Sequence, residues 1–190
     1  LFSGGLDSSY VLKLLADQGC NVTALAIDLG DGVNVADLQE IADRFGADLR
    51  VVDGRAAFAQ DAVLPAIRAN AKYMNMYPVS SSLSRPLIAR FAVQLAAELG
   101  CDAIVHTANQ SQNSLRRLNG AIRQLGYGGY YGSPYEYTAI TREQKIAELS
   151  QLGLPRFQAR GISGDANLWC REFESGSLDY REAFWTPESL

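Results

Sequence analysis

The sequence predicts an α/β fold, a doubly wound and mainly parallel sheet with helices on both faces. Short apolar and β-branched runs alternate along the chain with longer stretches of helical period, the pattern of βαβ units. Glycines recur where the helical stretches should stop, at Gly19, Gly46 and Gly100. The length of 190 residues, 47% of them hydrophobic and only 20% charged, is enough for a real core and places the chain well away from disordered compositions.

In order, a first helix is expected from Ser8 to Gln18, with Val11, Leu14 and Leu15 as its apolar stripe. A strand at 22–28, the turn Leu29-Gly30-Asp31-Gly32, and a helix carrying Val35, Leu38, Ile41 and Phe45 follow. Next come a strand at 49–53 and a helix over 56–71 that Pro65 should kink or restart. Tyr73 to Ser84 reads as a loop, and Arg85-Pro86 as the opening of an apolar helix through Leu99. A strand at 103–107, a helix at 113–125 and a strand at 135–139 are expected beyond it. The tyrosine-rich stretch Gly126–Tyr137 reads as an ordered loop or edge-strand turn. Thr141-Arg142-Glu143-Gln144 matches a capping box that starts a helix running to Gly153. Past Gly161 the pattern gives no clear element.

The net charge of −4 and pI near 5.0 argue against a protein built to bind long nucleic-acid backbones. Cys20, Cys101 and Cys170 are far apart, which favours a reducing compartment over a disulfide or zinc framework. No apolar run approaches the roughly 20 residues of a membrane span, so a soluble, cytoplasmic protein is expected, read as a single nucleotide-binding domain over residues 1–190. Only Leu1 and Phe2 precede a loop that ought to follow a full strand, so residues upstream are expected.

That loop is Ser3-Gly4-Gly5-Leu6-Asp7-Ser8-Ser9. Between a strand and a helix it gathers backbone N–H groups around a positive helix end, a place for an anion. Gly4 and Gly5 let the backbone approach an oxygen closely, and the hydroxyls of Ser3, Ser8 and Ser9 add donors. Asp7 would repel phosphate directly, so it serves either through a magnesium ion or as a helix cap. A Walker loop would carry a lysine for γ-phosphoryl transfer, and here none follows.

With these residues in view, Ser3–Ser9 resembles the PP-loop of the ATP pyrophosphatases (HUP-like), and the rest of the chain resembles the argininosuccinate synthase family. The likeness runs through 26–30, an adenine-side strand that includes Ile27; Leu64-Pro65-Ala66-Ile67; 77–86, the substrate loop; His106-Thr107-Ala108; Asn113 and Arg117; and 163–169 with Glu174 and Gly176. The resemblance implies ATP and Mg2+ as cofactors, with Asp7 and Ser8 catalytic, Asp7 the metal ligand, and Ser3, Gly4, Gly5, Asp7, Ser8, Ser9, Ile27 and His106 at the nucleotide. It implies small amino-acid-like substrates held by Tyr77, Ser81, Arg85, Asn109, Asn113, Ser114, Arg117, Ser163 and Glu172. The implied chemistry, of the arginine-biosynthesis type, is attack of citrulline's ureido oxygen on the α-phosphate, loss of pyrophosphate, and displacement of AMP by aspartate's amine. A loop that holds a diphosphate stabilises such a leaving group.

Ser114 stands where the family carries the carboxylate expected to hold aspartate's ammonium, and Glu172 where it usually has a small hydroxyl residue near citrulline. An altered substrate is therefore expected. The family's C-terminal synthetase domain is absent, so the chain is either a fragment or a short relative; a homo-oligomer is compatible with the likeness. Two rival readings stand beside the ligase: a non-catalytic ATP-binding module, and a PP-loop enzyme acting on RNA, which the absence of a basic tail opposes. His106 reads as a packed residue or a nucleotide contact, Arg85 as a salt-bridged helix start or a ligand, and Arg117 as a fork for carboxylate or phosphate. Asn113 could cap its helix, Asp28 could begin a turn, and Trp169 reads as core.

Overall fold

A computed structural model describes residues 1–158 and 163–174. Its elements are α1 (Leu6–Asp17), β1 (Thr23–Asp28), α2 (Val35–Arg44), β2 (Asp48–Asp53), α3 (Arg55–Phe58), α4 (Leu64–Arg68), α5 (Ser80–Leu99), β3 (Ala103–Val105), α6 (Asn113–Gln124), β4 (Tyr130–Gly132), α7 (Arg142–Gln151), β5 (Ser163–Ala166) and β6 (Arg171–Glu174).

β1 pairs in parallel with β2, and β3 in parallel with β4. The chain start joins the two pairs: the Phe2 N–H donates to the Leu25 carbonyl at 2.7 Å, and the Leu1 nitrogen donates to the Val105 carbonyl at 2.6 Å. The spatial order is thus β2, β1, residues 1–2, β3, β4, with the winding reversing on either side of residues 1–2. In such sheets ligands bind beyond the carboxyl ends of the strands at that reversal, and here that is where the chain turns into Ser3.

Successive β1 side chains point to opposite faces, so Ala24 and Ala26 join one core and Leu25 the other. The first core packs α1, α2 and α7 through Tyr10, Leu12, Ile41 and Leu149; the second packs α5 and α6 through Ala92, Ala96, Leu118 and Ile122. Both faces are covered, and the doubly wound reading holds.

Several expected boundaries move. In α1 the buried apolar residues are Tyr10, Val11 and Leu12, with Leu14 and Leu15 only half-buried. The helix expected over 56–71 is α3 and α4 joined by a π turn at Ala59–Val63, in which Leu64 N–H reaches back to Ala59. Pro65 follows directly, at the second residue of α4, and the wide π turn before it is where the expected kink or restart falls.

The helix expected to open at Arg85-Pro86 begins at Ser80 instead, leaving Pro86 inside it. Tertiary bonds hold the added turn, since Asn167 Nδ2 donates to Ser80 Oγ at 2.6 Å and Ser81 N–H donates to Glu172 Oε1 at 3.2 Å. The strand expected at 135–139 is absent. Pro134 and the reciprocal Ser133–Glu136 cap make Pro134–Glu136 a 3-10 turn, and the strand is β4, inside the tyrosine-rich stretch. At α7, Thr141 Oγ1 accepts from Gln144 N–H at 3.2 Å, but the Gln144 amide turns to Glu148 at 2.9 Å, so only half of the expected box forms. No helix among the described residues is long and apolar enough to cross a membrane.

Candidate active site

The loop at the sheet's reversal is held open by its own side chains. Gly4 has φ of +69°, and a Cβ there would lie 2.4 Å from Leu38 Cδ2. The positive φ favours glycine there, and Leu38 would have to move to admit any side chain. Ser8 Oγ donates to the Gly5 carbonyl at 3.1 Å and accepts from Ser3 N–H at 3.3 Å and the Ser3 hydroxyl at 3.1 Å. Ser3 Oγ in turn accepts from Gly5 N–H at 3.4 Å.

Gly5 is the N-cap residue of α1, and no side chain caps the helix. Its first-turn N–H groups therefore face forward, with the positive end of the helix behind them. Ser9 Oγ is buried without a hydrogen-bond partner among the described residues. Such a group is costly unless something bonds to it.

Asp7 is not the cap. Its Oδ1 accepts from Lys145 Nζ at 2.8 Å, and its carbonyl accepts from the Tyr135 hydroxyl at 3.0 Å. Lys145 Nζ also lies 4.0 Å from the centre of the Tyr135 ring. Burial pushes the Tyr135 phenol upward, helped by Asp7. Lys145 was not foreseen from the loop motif. The signal was available in α7, where Lys145 lies one turn before the fully buried Leu149 and so shares its inward face.

Across the same edge of the sheet, a cavity of about 850 Å³ opens between the start of α5, residues 109–117 and the β5–β6 hairpin. It brings together Tyr77, Ser81, Arg85, Asn109, Asn113, Ser114, Arg117 and Glu172 from the expected set, and adds Asp165, Cys170 and Arg171. Ser163 opens β5, but its side chain, like that of Glu174 and all of Gly176, lies outside the described residues.

One wall is a directed chain of donors. Arg117 Nη1 donates to Ser81 Oγ at 2.8 Å, and Tyr77 OH donates to Glu172 Oε1 at 2.6 Å. Because Tyr77 has a single proton, its 3.0 Å contact with Ser81 must be donation from Ser81. Burial, then the bond to Glu172, raises the Tyr77 phenol above its ordinary value. Opposite, Arg85 pairs with Asp165 and donates Nε to Ser114 Oγ at 3.3 Å. That pairing matches the salt-bridge reading of Arg85, while its place in the wall keeps it within reach of a ligand.

His106 is 1% exposed. Its Nδ1 accepts from Ala108 N–H at 3.3 Å, which leaves the proton on Nε2 to donate to Asn119 Oδ1 at 2.8 Å. Burial holds it below the usual histidine value, in the neutral form. Both ring nitrogens are occupied, as in the packed reading. Ile27 is half-buried in β1, between the second core and the cluster around Phe58. Asp28 Oδ1 accepts from Gly30 N–H at 2.7 Å and so begins a turn. Asn113 is the first residue of α6, whose N-cap is Gln112, and does not cap it. Trp169 is half-buried, with its indole N–H donated to the Pro78 carbonyl at 2.8 Å.

The parallel sheet with helices on both faces and the glycine-opened helix start at its reversal define an α/β domain of the HUP, PP-loop class. Solved structures share the fold. NMN synthetase from Francisella tularensis superposes with a TM-score of 0.55 at 16% identity, covering 85% of this chain and 64% of that one. NH3-dependent NAD synthetase from Campylobacter jejuni gives 0.54 at 19%, covering 94% and 69%. The Arginosuccinate synthase N-terminal HUP domain family model matches residues 1–155, and the chain belongs to the argininosuccinate synthase family.

Argininosuccinate synthase of Rubrobacter xylanophilus is 36% identical over 190 residues, 98% of this chain and 46% of the relative. That of Halalkalibacterium halodurans is 34% identical over 181 residues, 94% and 44%. The chain thus spans slightly under half the length of these curated relatives.

Proposed function

We propose that the chain binds ATP with its diphosphate end in the Ser3–Ser9 loop and forms the nucleotide-binding part of an AMP- and pyrophosphate-forming ligase of the argininosuccinate synthase type. The observation that carries this reading is the start of α1 at the sheet's reversal, which no described side chain caps, beside a cavity lined by arginines, hydroxyls and carboxylates.

An acceptor oxygen attacks the α-phosphorus, the α–β bridging bond breaks, and pyrophosphate leaves toward the loop. An amine then attacks the activated carbon and AMP departs. The first-turn N–H groups of α1 stand at the charge that develops on the leaving group, where fixed dipoles act without reorganisation, with the buried Ser9 hydroxyl one residue further along the helix. Ser3 and Ser8 keep the loop in shape.

Among the described residues no three carboxylate, histidine or cysteine side chains gather to hold a metal. Asp7 offers one half-exposed carboxylate with one oxygen on Lys145. This fits magnesium that arrives with the phosphates, since that ion is commonly bound by one or two carboxylates plus substrate phosphates. When bound it supplies charge neutralisation on the phosphate oxygens, and Asp7 Oδ2 is the atom that would hold it.

In the cavity Arg85 and Asp165 offset one another, leaving Arg117 and Arg171 against Glu172. That balance suits amino-acid-like molecules bearing both a carboxylate and an ammonium. Ser114, already bonded to Arg85, offers no charge to an ammonium, so the amine donor need not be aspartate.

The test is to supply ATP, magnesium and a panel of ureido, guanidino and amino acids, and to follow AMP and pyrophosphate. Equal amounts of the two, dependent on an amino acid, are expected. ADP formation instead would end this reading.

A further inference from the structure

Lys145 is 8% exposed and sits against the aromatic face of Tyr135. A lysine in that setting gives up most of its hydration, and the Tyr135 face with a single bond to the half-exposed Asp7 returns only part of it. An apolar residue would fill this inward position of α7 beside Leu149 at lower cost. Stability alone does not account for an ammonium here.

Location does. Asp7 is the second residue of α1, two past the N-cap Gly5, so Lys145 stands at the mouth of the phosphate loop. Its position is fixed from three sides. The Tyr135 hydroxyl is bonded to the Asp7 carbonyl, Tyr135 N–H to Ser133 Oγ at 3.2 Å, and α7 is clamped to α1 by Glu148, which accepts from Tyr10 OH at 2.9 Å and pairs with Lys13 at 3.1 Å. An ammonium has three N–H groups and Asp7 Oδ1 takes one. Ser9 Oγ, two residues on from Asp7, adds an unmet hydrogen-bonding group to the same loop.

We propose that Lys145 is the cation of the phosphate loop, supplied from α7 rather than from within the loop, and that it shares its charge between Asp7 and the oxygens of a bound pyrophosphate. The role rests on the nucleotide-binding reading above. It lets the loop hold a diphosphate with less help from a divalent ion, because the positive charge is already built in.

The experiment is calorimetry of the intact protein with sodium pyrophosphate, once in EDTA and once with magnesium, for wild type, Lys145→Met and Lys145→Arg. Wild type is expected to bind in EDTA. Lys145→Met should lose tenfold or more there and less with magnesium, whereas Lys145→Arg should stay within a few-fold of wild type. Thermal unfolding of each variant shows whether it is folded, and Lys145→Met, which removes a buried charge, should not melt lower. Equal affinity of wild type and Lys145→Met in EDTA overturns the proposal, as does wild-type binding that appears only with magnesium. If wild type binds neither pyrophosphate nor ATP under any condition, the nucleotide-binding reading itself has failed.

Discussion

Tyr77 and Glu172 lie 95 residues apart in sequence, yet the phenol donates to the carboxylate across 2.6 Å, closing the wall of the cavity. The bond joins the segment before α5 to the last described strand. Glu172 Oε1 also accepts from Ser81 N–H, so this one oxygen organises both the loop and the added first turn of the helix.

A double-mutant cycle on this pair should therefore show coupling. Tyr77→Phe leaves a half-buried carboxylate short of a donor and should cost about 1–3 kcal/mol, the usual size for a lost bond to a charged group. Combined with Glu172→Gln the costs should not add, with an interaction energy of about 0.5–3 kcal/mol. Urea unfolding of the four proteins measures it, and additive costs would mean that the pair is incidental.

The two loop glycines should respond differently to alanine. At Gly4 the positive φ costs about 1–2 kcal/mol and Leu38 must also move, so both stability and nucleotide binding should fall. At Gly5 φ is −78° and a Cβ would meet only Ser3 Oγ at 3.4 Å, so alanine should change stability little, glycine's N-cap advantage and the stiffer unfolded chain opposing one another at about 0.5–1 kcal/mol each. Denaturant midpoints for both variants check the contrast.

Ser9 offers a stability and binding trade. With its hydroxyl buried and unbonded, Ser9→Ala should leave the free protein as stable as wild type or more so, by about 1–2 kcal/mol. The same change should weaken pyrophosphate binding. A variant that is destabilised yet binds normally would contradict both statements.

His106 makes stability depend on pH. Its folded value lies below that of the unfolded chain because burial disfavours the charged ring. Below about pH 6.5 the unfolded state therefore takes up more protons than the folded one, and stability falls as pH falls through that value. The contribution is intact above it. The slope from this one group is at most about 1.4 kcal/mol per pH unit, and the difference between wild type and His106→Asn in urea midpoints at pH 5.5 and 7.5 isolates it.

Elements set by local pattern were legible before the structure. The glycine stops after α1, α2 and α5, the Thr141 cap and the seven-residue loop all depend on residues close together in the chain. What was illegible depended on distant partners. Pro86 read as a first-turn residue because nothing nearby shows that Asn167 and Glu172 hold Ser80 and Ser81 in a helix. The turn at Pro134 was misread as a strand because the tyrosines around it outweighed Ser133 and Glu136. Lys145 is illegible from the loop motif because it lies 138 residues from Asp7, on α7. The cavity residues were named through family likeness; their sequence spacing gives no hint that Arg85 meets Asp165.

The β5–β6 hairpin sets an order of assembly. The two residues of the Lys145–Asp7 contact are both made before Asp165 and Glu172 leave the ribosome. Until they arrive, Tyr77 and Arg85 lack the carboxylates that orient them. The contacts at the start of α1 thus have all their partners in the chain before those that line the cavity do.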